Sequence, residues 1–206
     1  MIFILTMTLR RPAEQTRPTD DLAPRPPHLL AGPARAADLA EAEALMRTVL
    51  ERDLGGYNPR WHTDLDDLAA TYLGDPRRAL LVARLDGELV GTAAVKPCLL
   101  RTPPNPGWLA QRYNDPSVCE LVRVWVGSAG RRQGVGRCLV QQAVRWATGE
   151  GGYRTVYLHT NTSAPGAESF WRALPTIEIH DGRPDPFHCV HFEIDVHKLG
   201  AQASIR

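Results

Sequence analysis

The sequence predicts a mixed α/β domain in which a twisted sheet of about six to seven strands is flanked by helices. Three observations carry that expectation. Stretches with apolar residues at helical spacing interleave with short extended apolar runs, so helices and strands alternate along the chain. Asp86-Gly87 separates two apolar runs and reads as a two-residue hairpin turn, because a type I′ turn needs positive φ at both central positions. In the middle of the chain an apolar strand runs into a turn rich in glycine and arginine that opens a helix.

Taken in order, residues 1–28 hold five prolines, several arginines and almost no apolar periodicity. Such a segment cannot bury enough surface to offset its ordering entropy, and a flexible tail is expected. The domain is expected over residues 29–197, with a second tail over 198–206. His28–Gly32 reads as a first strand. Leu39, Ala42, Leu45, Met46, Val49 and Leu50 define an amphipathic helix over 36–53, stopped by Gly55-Gly56. A second helix is expected from Thr63 to Leu73, capped by Thr63 or Asp64. Ala79–Leu85 and Glu88–Val95 are the hairpin strands. Residues 98–117 hold four prolines and read as a long loop, of the kind that is usually functional or disordered. Glu120–Val126 reads as a buried strand, Gly134–Thr148 as a helix with Val135, Leu139, Ala143 and Trp146 on one face, and Thr155–His159 as a strand. A short helix at Ala167–Leu174 and a hairpin of Ile177–Ile179 with His188–Val196 close the order βααβββαβαββ.

The chain has 206 residues, is 43% hydrophobic and 23% charged, and balances 24 Lys+Arg against 23 Asp+Glu. Those values fit one globular domain and exclude nucleic-acid binding driven by bulk positive charge. No apolar run reaches transmembrane length, and Met1–Arg11 carries its charges after its apolar stretch, the reverse of a secretory signal. Met7 is a candidate initiator. Cys98, Cys119, Cys138 and Cys189 form no CxxC pair, which favours free thiols in the cytoplasm. No membrane or nucleic-acid partner is expected. No metal is expected either, since along a strand His188 points opposite to Cys189 and His191.

The chemistry is concentrated in Cys119–Leu139, CELVRVWVGSAGRRQGVGRCL. The first N–H groups of a helix lack intrahelical partners, and the helix dipole is positive there. Gly134 and Gly136 remove side chains from the approach to that backbone, and Arg131, Arg132 and Arg137 add charge and paired donors. Together they suit a diphosphate. The glycines fall in the wrong places for a dinucleotide GxGxxG, and the GK[ST] of a P-loop is absent.

At these residues the sequence resembles the GCN5-related N-acetyltransferase (GNAT) superfamily, whose acetyl-CoA loop [QR]xxGx[GA] is matched by Arg131–Gly136, RRQGVG. The resemblance covers roughly residues 28–196 and implies the family fold. It also implies that Arg131, Arg132, Gln133, Gly134, Val135, Gly136 and Arg137 hold the pyrophosphate of acetyl-CoA. Backbone groups of Val124, Trp125 and Val126 would pair with the pantetheine arm, and an N–H there would stabilise the oxyanion of acyl transfer. Glu120, eleven residues before Arg131, would be the general base that takes a proton from an amine, its pKa raised at the mouth of a desolvated cleft. The alternative for Glu120 is a plain ion pair with Arg123 or Arg112. In the family's later motif, here Ala167-Glu-Ser-Phe170-Trp171, Trp171 stands where a Tyr acid is usual. An indole N–H cannot serve as that acid, so Trp171 is expected to pack beside the arm, with Asn161 orienting it.

By the same resemblance the acceptor site is lined by the first helices, the loop before the fourth strand and the last hairpin. The candidates are Tyr57, Trp61, His62, Asp64, Trp108, Arg112 and Tyr113, aromatics and an acid suited to a cationic amine. His159 is expected to be a buried, hydrogen-bonded histidine. The implied activity is direct acetyl transfer to a primary amine of a small molecule. A protein N-terminal or lysine acetyltransferase, a non-catalytic acyl-CoA sensor and a nucleotide-binding module remain as alternatives. The last hairpin offers an open edge for a homodimer.

Overall fold

The computed structural model describes residues 28–185 and 187–203, so the expected N-terminal tail lies outside the described residues except for His28. Seven strands form one sheet: β1 (Leu29–Pro33), β2 (Ala79–Leu85), β3 (Glu88–Pro97), β4 (Val118–Val126), β5 (Thr155–Asn161), β6 (Thr176–Asp181) and β7 (Cys189–Ile194). Their order is β1-β2-β3-β4-β5-β7-β6, and every neighbouring pair is antiparallel except β4–β5. The helices are α1 (Leu39–Asp53), α2 (Leu68–Tyr72), α3 (Gly107–Tyr113), α4 (Val135–Thr148), α5 (Ala167–Arg172) and α6 (Val196–Ala203). Among the described residues no helix is long and apolar enough to cross a membrane.

Period-2 alternation sends the two faces of the sheet to different helices. Val95, Leu121 and Leu158 face α4, whose Val135, Leu139 and Ala143 are buried against them. The approach is close: a Cβ on Gly91 would lie 2.9 Å from Leu139 Cδ1. The other face carries Leu80, Val82 and Ala94 under Ala42, Met46 and Leu50 of α1. A third cluster packs Leu109 and Tyr113 of α3 on Leu100, Val118 and Tyr157.

Three elements differ from expectation. The single helix predicted over 63–73 is a one-turn 3-10 segment at Thr63–Leu65 followed by α2, and its cap is Asp67, which accepts from Ala70 N at 2.9 Å. The expected loop 98–117 contains α3; the surrounding prolines mask the i,i+4 pair Leu109 and Tyr113 that buries it. The expected tail from residue 198 is instead part of α6, whose Leu199 is buried and whose first turn is capped by Asp195 accepting from Lys198 N at 3.0 Å.

Two irregularities in β4 prepare the site. β4 pairs with β5 only over Val118–Glu120 against Thr155–Tyr157, and beyond that point the strands part. On its other side, the register with β3 slips between Thr92 and Ala94, where Arg123 adopts φ +56°. This β-bulge is held by Thr92 Oγ1, which donates to Arg123 O at 3.1 Å.

Candidate active site

Where β4 and β5 part, a cleft of about 1930 Å³ opens. Its β4 side is lined by Val122, Val124, Trp125 and Val126, and its β5 side by His159, Thr160 and Asn161. Beyond Val126, a single turn at Ser128–Gly130 leads through Arg131, Arg132 and Gln133 to the start of α4. Gly134 has φ +78°, the left-handed region, with nothing within 4 Å of where a Cβ would stand, so conformation selects this glycine. Gly136 is closely packed: a Cβ there would lie 3.1 Å from Phe170 Cε2 on α5. Arg131 is ion-paired with Asp53 at the end of α1, and its Nε donates to Val126 O at 3.2 Å. Gln133 donates to Ala129 O and Arg137 to Ala173 O, the latter at 3.4 Å, while Arg132 is exposed at φ +62°. Asn161 and Trp171 both line the cleft. Asn161 joins two loops, donating to Phe187 O and accepting from Ser163 N, whereas Trp171 is buried edge-on to Phe170.

At the apex of the cleft sits Glu120, only 3% exposed. Its partner is neither Arg123 nor Arg112. Strand register puts Lys96 directly across on β3, and Lys96 Nζ lies 2.9 Å from Glu120 Oε2. On the other side His159 Nδ1 lies 3.0 Å from Oε1. Burial alone would raise the Glu120 pKa, but Lys96 and His159 overcome it and hold the carboxyl down to about 2. The expectation of a raised pKa is thus overturned: the site holds a fixed carboxylate. His159 is not buried as expected, since 38% of its side chain is exposed on the cleft wall.

The acceptor candidates separate into two groups. Trp61, His62 and Asp64 line the cleft beside Trp125. Asp64 is bound by Arg123 at 2.6 and 2.9 Å and by Tyr72 OH at 2.6 Å, so its charge is already matched. His62 Nδ1 accepts from Asn58 N, and burial followed by the Arg123 charge lowers its pKa. Tyr57, Trp108, Arg112 and Tyr113 stand elsewhere. Tyr57 donates to Asp66 at 2.8 Å on the surface. Trp108 packs edge-on to His180, Arg112 lies 3.6 Å from Glu193, and Tyr113 is buried at 4.6 Å from the Tyr157 ring.

Lys96 and Tyr157 carry no local signal in the sequence, which offered His159 only as a buried, hydrogen-bonded histidine and His191 only as a discounted metal ligand. Tyr157 OH and His191 Nδ1 are 2.6 Å apart under His159, and burial, reinforced by His159 and His180, lowers the His191 pKa to about 4. The signal that finds them is strand register, which aligns Lys96, Glu120, Tyr157 and Glu193 in one row and sets His159 two residues further along the same face. Among the described residues no three His, Cys, Asp or Glu side chains are grouped to hold a metal ion.

Solved structures share this fold. A GNAT-family acetyltransferase from Staphylococcus aureus Mu50 superposes with a TM-score of 0.62 at 14% identity, over 82% of this chain and 99% of that one. A putative acetyltransferase from Salmonella typhimurium, solved with its cofactor acetyl-CoA, superposes at 0.60 and 16% identity over 80% and 91%. Identities this low show the fold alone. In sequence, N-acetyltransferase 8 of Rattus norvegicus is 29% identical over 113 residues, 55% of this chain and 46% of its own length, and the Mus musculus protein of that name matches equally over 44% of its length. The match thus spans about half of those curated relatives. The model of the acetyltransferase (GNAT) family matches residues 43–174, which include β4, the Arg131–Gly136 turn, α4 and α5. With more than half of the chain matched and the splayed β4–β5 cleft in place, this protein belongs to the acetyltransferase (GNAT) family.

Proposed function

We propose that this chain is an acetyl-CoA-dependent N-acetyltransferase that moves acetyl directly to a primary amine of a small molecule. The observation that carries the reading is the cleft itself, with a helix N-terminus at one end and a buried carboxylate set between Lys96 and His159 at the other. The residues fit the donor. From Glu120 to Val126 the strand extends about 20 Å at roughly 3.3 Å per residue, a span suited to a pantetheine arm. Beyond Glu120 the β4 edge on that side has no strand partner among the described residues, so its N–H and C=O groups favour such an arm. The α4 N-terminus with Arg131, Arg132 and Arg137 would hold the diphosphate, and acetyl-CoA supplies the activated acyl group when bound. A β4 N–H near the apex would stabilise the oxyanion, Asn161 and Trp171 would border the arm, and Glu120 would drive deprotonation of the amine.

The cleft volume, above the roughly 300–1,000 Å³ of a single small-ligand pocket, suits two substrates side by side. The segment Leu99–Arg101 with Pro104 and Asn105 adds a wall to it, which favours a compact acceptor over an extended polypeptide. Four free cysteines, two of them buried with their thiols raised by burial, suit a reducing compartment such as the cytoplasm. The open β6 edge, with Ile177 exposed, suits pairing with a second copy.

Calorimetry with acetyl-CoA, combined with thiol release against spermidine, L-phenylalanine, benzylamine and an N-terminal peptide, tests the reading. Glu120→Gln should keep acetyl-CoA affinity and lose turnover by about 10²–10⁴-fold. A chain that binds acetyl-CoA and acetylates none of these amines would fit the non-catalytic sensor. Peptide turnover alone would move the acceptor class to protein, and absence of acetyl-CoA binding would sink the reading.

A further inference from the structure

We infer that the atom receiving the amine proton is Nε2 of His159, and that Glu120 acts through that ring as a positioning residue. The inference rests on the acetyltransfer reading and specifies its base.

Glu120 is badly placed to accept the proton itself. It is almost wholly buried, and both carboxylate oxygens are engaged, Oε2 by Lys96 and Oε1 by His159. A carboxylate gripped by an ammonium and an imidazole N–H is stabilised as the anion and has little tendency to take a proton. The opposite holds for His159. Its side chain is partly exposed on the cleft wall, two residues past Tyr157, the last β5 residue paired with β4. It therefore stands where the two strands part, at the end of the cleft remote from the α4 N-terminus.

The contact to Glu120 also sets the ring's chemistry. A carboxylate only accepts hydrogen bonds, so Nδ1 must carry the hydrogen, which leaves the lone pair of the neutral ring on Nε2. The side-chain atom set against His159 Nδ1 is Glu120 Oε1, at 3.0 Å. The rings of Tyr157 and His191, at 6.4 and 5.8 Å, back it on the sheet side. Lys96 keeps Glu120 anionic, so the carboxylate stabilises the imidazolium without removing its proton.

The step balances. An acceptor ammonium gives one proton to Nε2 and becomes the free amine. Its nitrogen lone pair forms the C–N bond to the acetyl carbon as the C–S bond breaks. The remaining excess N–H proton leaves with the thiolate sulfur, and His159 returns its proton to water. No separate acid is needed, which accommodates Trp171 in the position where a Tyr is usual.

Two measurements test the inference. In protein labelled with ¹⁵N-histidine and free of ligand, the neutral His159 ring, assigned by its loss in His159→Gln, should show hydrogen on Nδ1 and none on Nε2. Glu120→Gln should shift that ring toward the Nε2–H tautomer, because a glutamine amide can donate to Nδ1. In turnover, His159→Ala should lose about 100-fold or more in kcat with acetyl-CoA affinity unchanged, and added imidazole should restore part of it. His159→Gln, which can still donate to Glu120, should stay folded and be as slow. An Nε2–H tautomer in the wild type, or kcat kept within about threefold in both variants, would overturn the inference and leave the acetyltransfer reading standing. A wild type that binds no acetyl-CoA and acetylates no amine overturns both.

Discussion

The two ends of the cleft are built in different ways. The end proposed to hold the phosphates is one continuous stretch: the end of β4, the Arg131–Gly136 turn and the start of α4. The end proposed for the acceptor is assembled from Trp61–Asp64, Lys96, the 99–105 segment, Glu120, His159 and His191, which only sheet pairing and the α1–α2 connection bring together. A local unit announces itself by spacing, because its geometry follows from a strand, a turn and a helix N-terminus in succession. An assembled wall has no such spacing, and its chemistry depends on which strand lies beside which.

The wall should therefore be fragile where the local unit is not. Asp64 and Arg123 tie the α1–α2 connection to the β4 bulge, with Tyr72 OH and Trp61 O completing the set. Both side chains are mostly buried, and Arg123 keeps the Asp64 carboxyl below its ordinary range against the opposing effect of burial. Asp64→Ala leaves the guanidinium buried and unpaired, which should lower unfolding free energy by about 3–5 kcal/mol in urea titrations. Acetyl-CoA affinity of the folded fraction should change by less than about threefold, because the phosphate end keeps its own contacts. An equal loss of affinity would mean that the two ends form one unit.

The same division explains how far the sequence could be read. The Asp86-Gly87 turn, the α4 face at Val135, Leu139 and Ala143, and the Arg131–Gly136 turn into α4 all rest on local rules, and the structure contains each of those elements. α3 was hidden because Pro103, Pro104 and Pro106 dominate its segment, although Leu109 and Tyr113 supply a burying face. In the site, Glu120 stood out as a carboxylate opening an apolar strand, but its partners did not. Lys96 is 24 positions away and His159 is 39, and a one-residue change in register would turn either side chain to the opposite face. The aromatic candidates Trp108 and Tyr113 were misplaced for the same reason. They pack on His180 and Tyr157, contacts fixed by α3 docking and not by spacing.

Acid should find the assembled wall before it reaches the carboxylate at its centre. His191 is buried and uncharged in the fold, its pKa lowered from 6.5 to about 4. A group with a lowered folded pKa contributes stability above its unfolded value and loses it as pH falls toward the folded one. The unfolded chain thus takes up this proton first, and stability should fall by on the order of 3 kcal/mol between about pH 6.5 and 4. Glu120, held at about 2, stays ionised in the fold throughout that window, but its ordinary value of 4.5 means the unfolded chain takes up that proton too, which adds a further loss below about pH 5. Urea titrations at pH 7 and pH 5.5, above the range where the Glu120 carboxyl of the unfolded chain takes up its proton, read the His191 part of the effect. His191→Gln, which keeps an acceptor for Tyr157 OH, should flatten it; an unchanged slope would assign the acid sensitivity to other groups.

The smallest effect tests the phosphate end from inside. Gly136 has two competing explanations, approach of a phosphate to the α4 backbone and approach of Phe170 on α5. They predict different couplings. Gly136→Ala should gain up to about 1 kcal/mol in helix propensity, opposed by the 3.1 Å contact its Cβ would make with Phe170. If the glycine serves packing, the substitution should be near neutral in the wild type and stabilising by about 1 kcal/mol when Phe170 is already alanine, a coupling that a double-mutant cycle measures directly. If it serves the phosphate, stability should respond alike in both backgrounds while acetyl-CoA affinity falls in both. The packing outcome would make even the most legible turn of this chain answer partly to a residue 34 positions downstream, and would narrow the contrast between the two ends of the cleft.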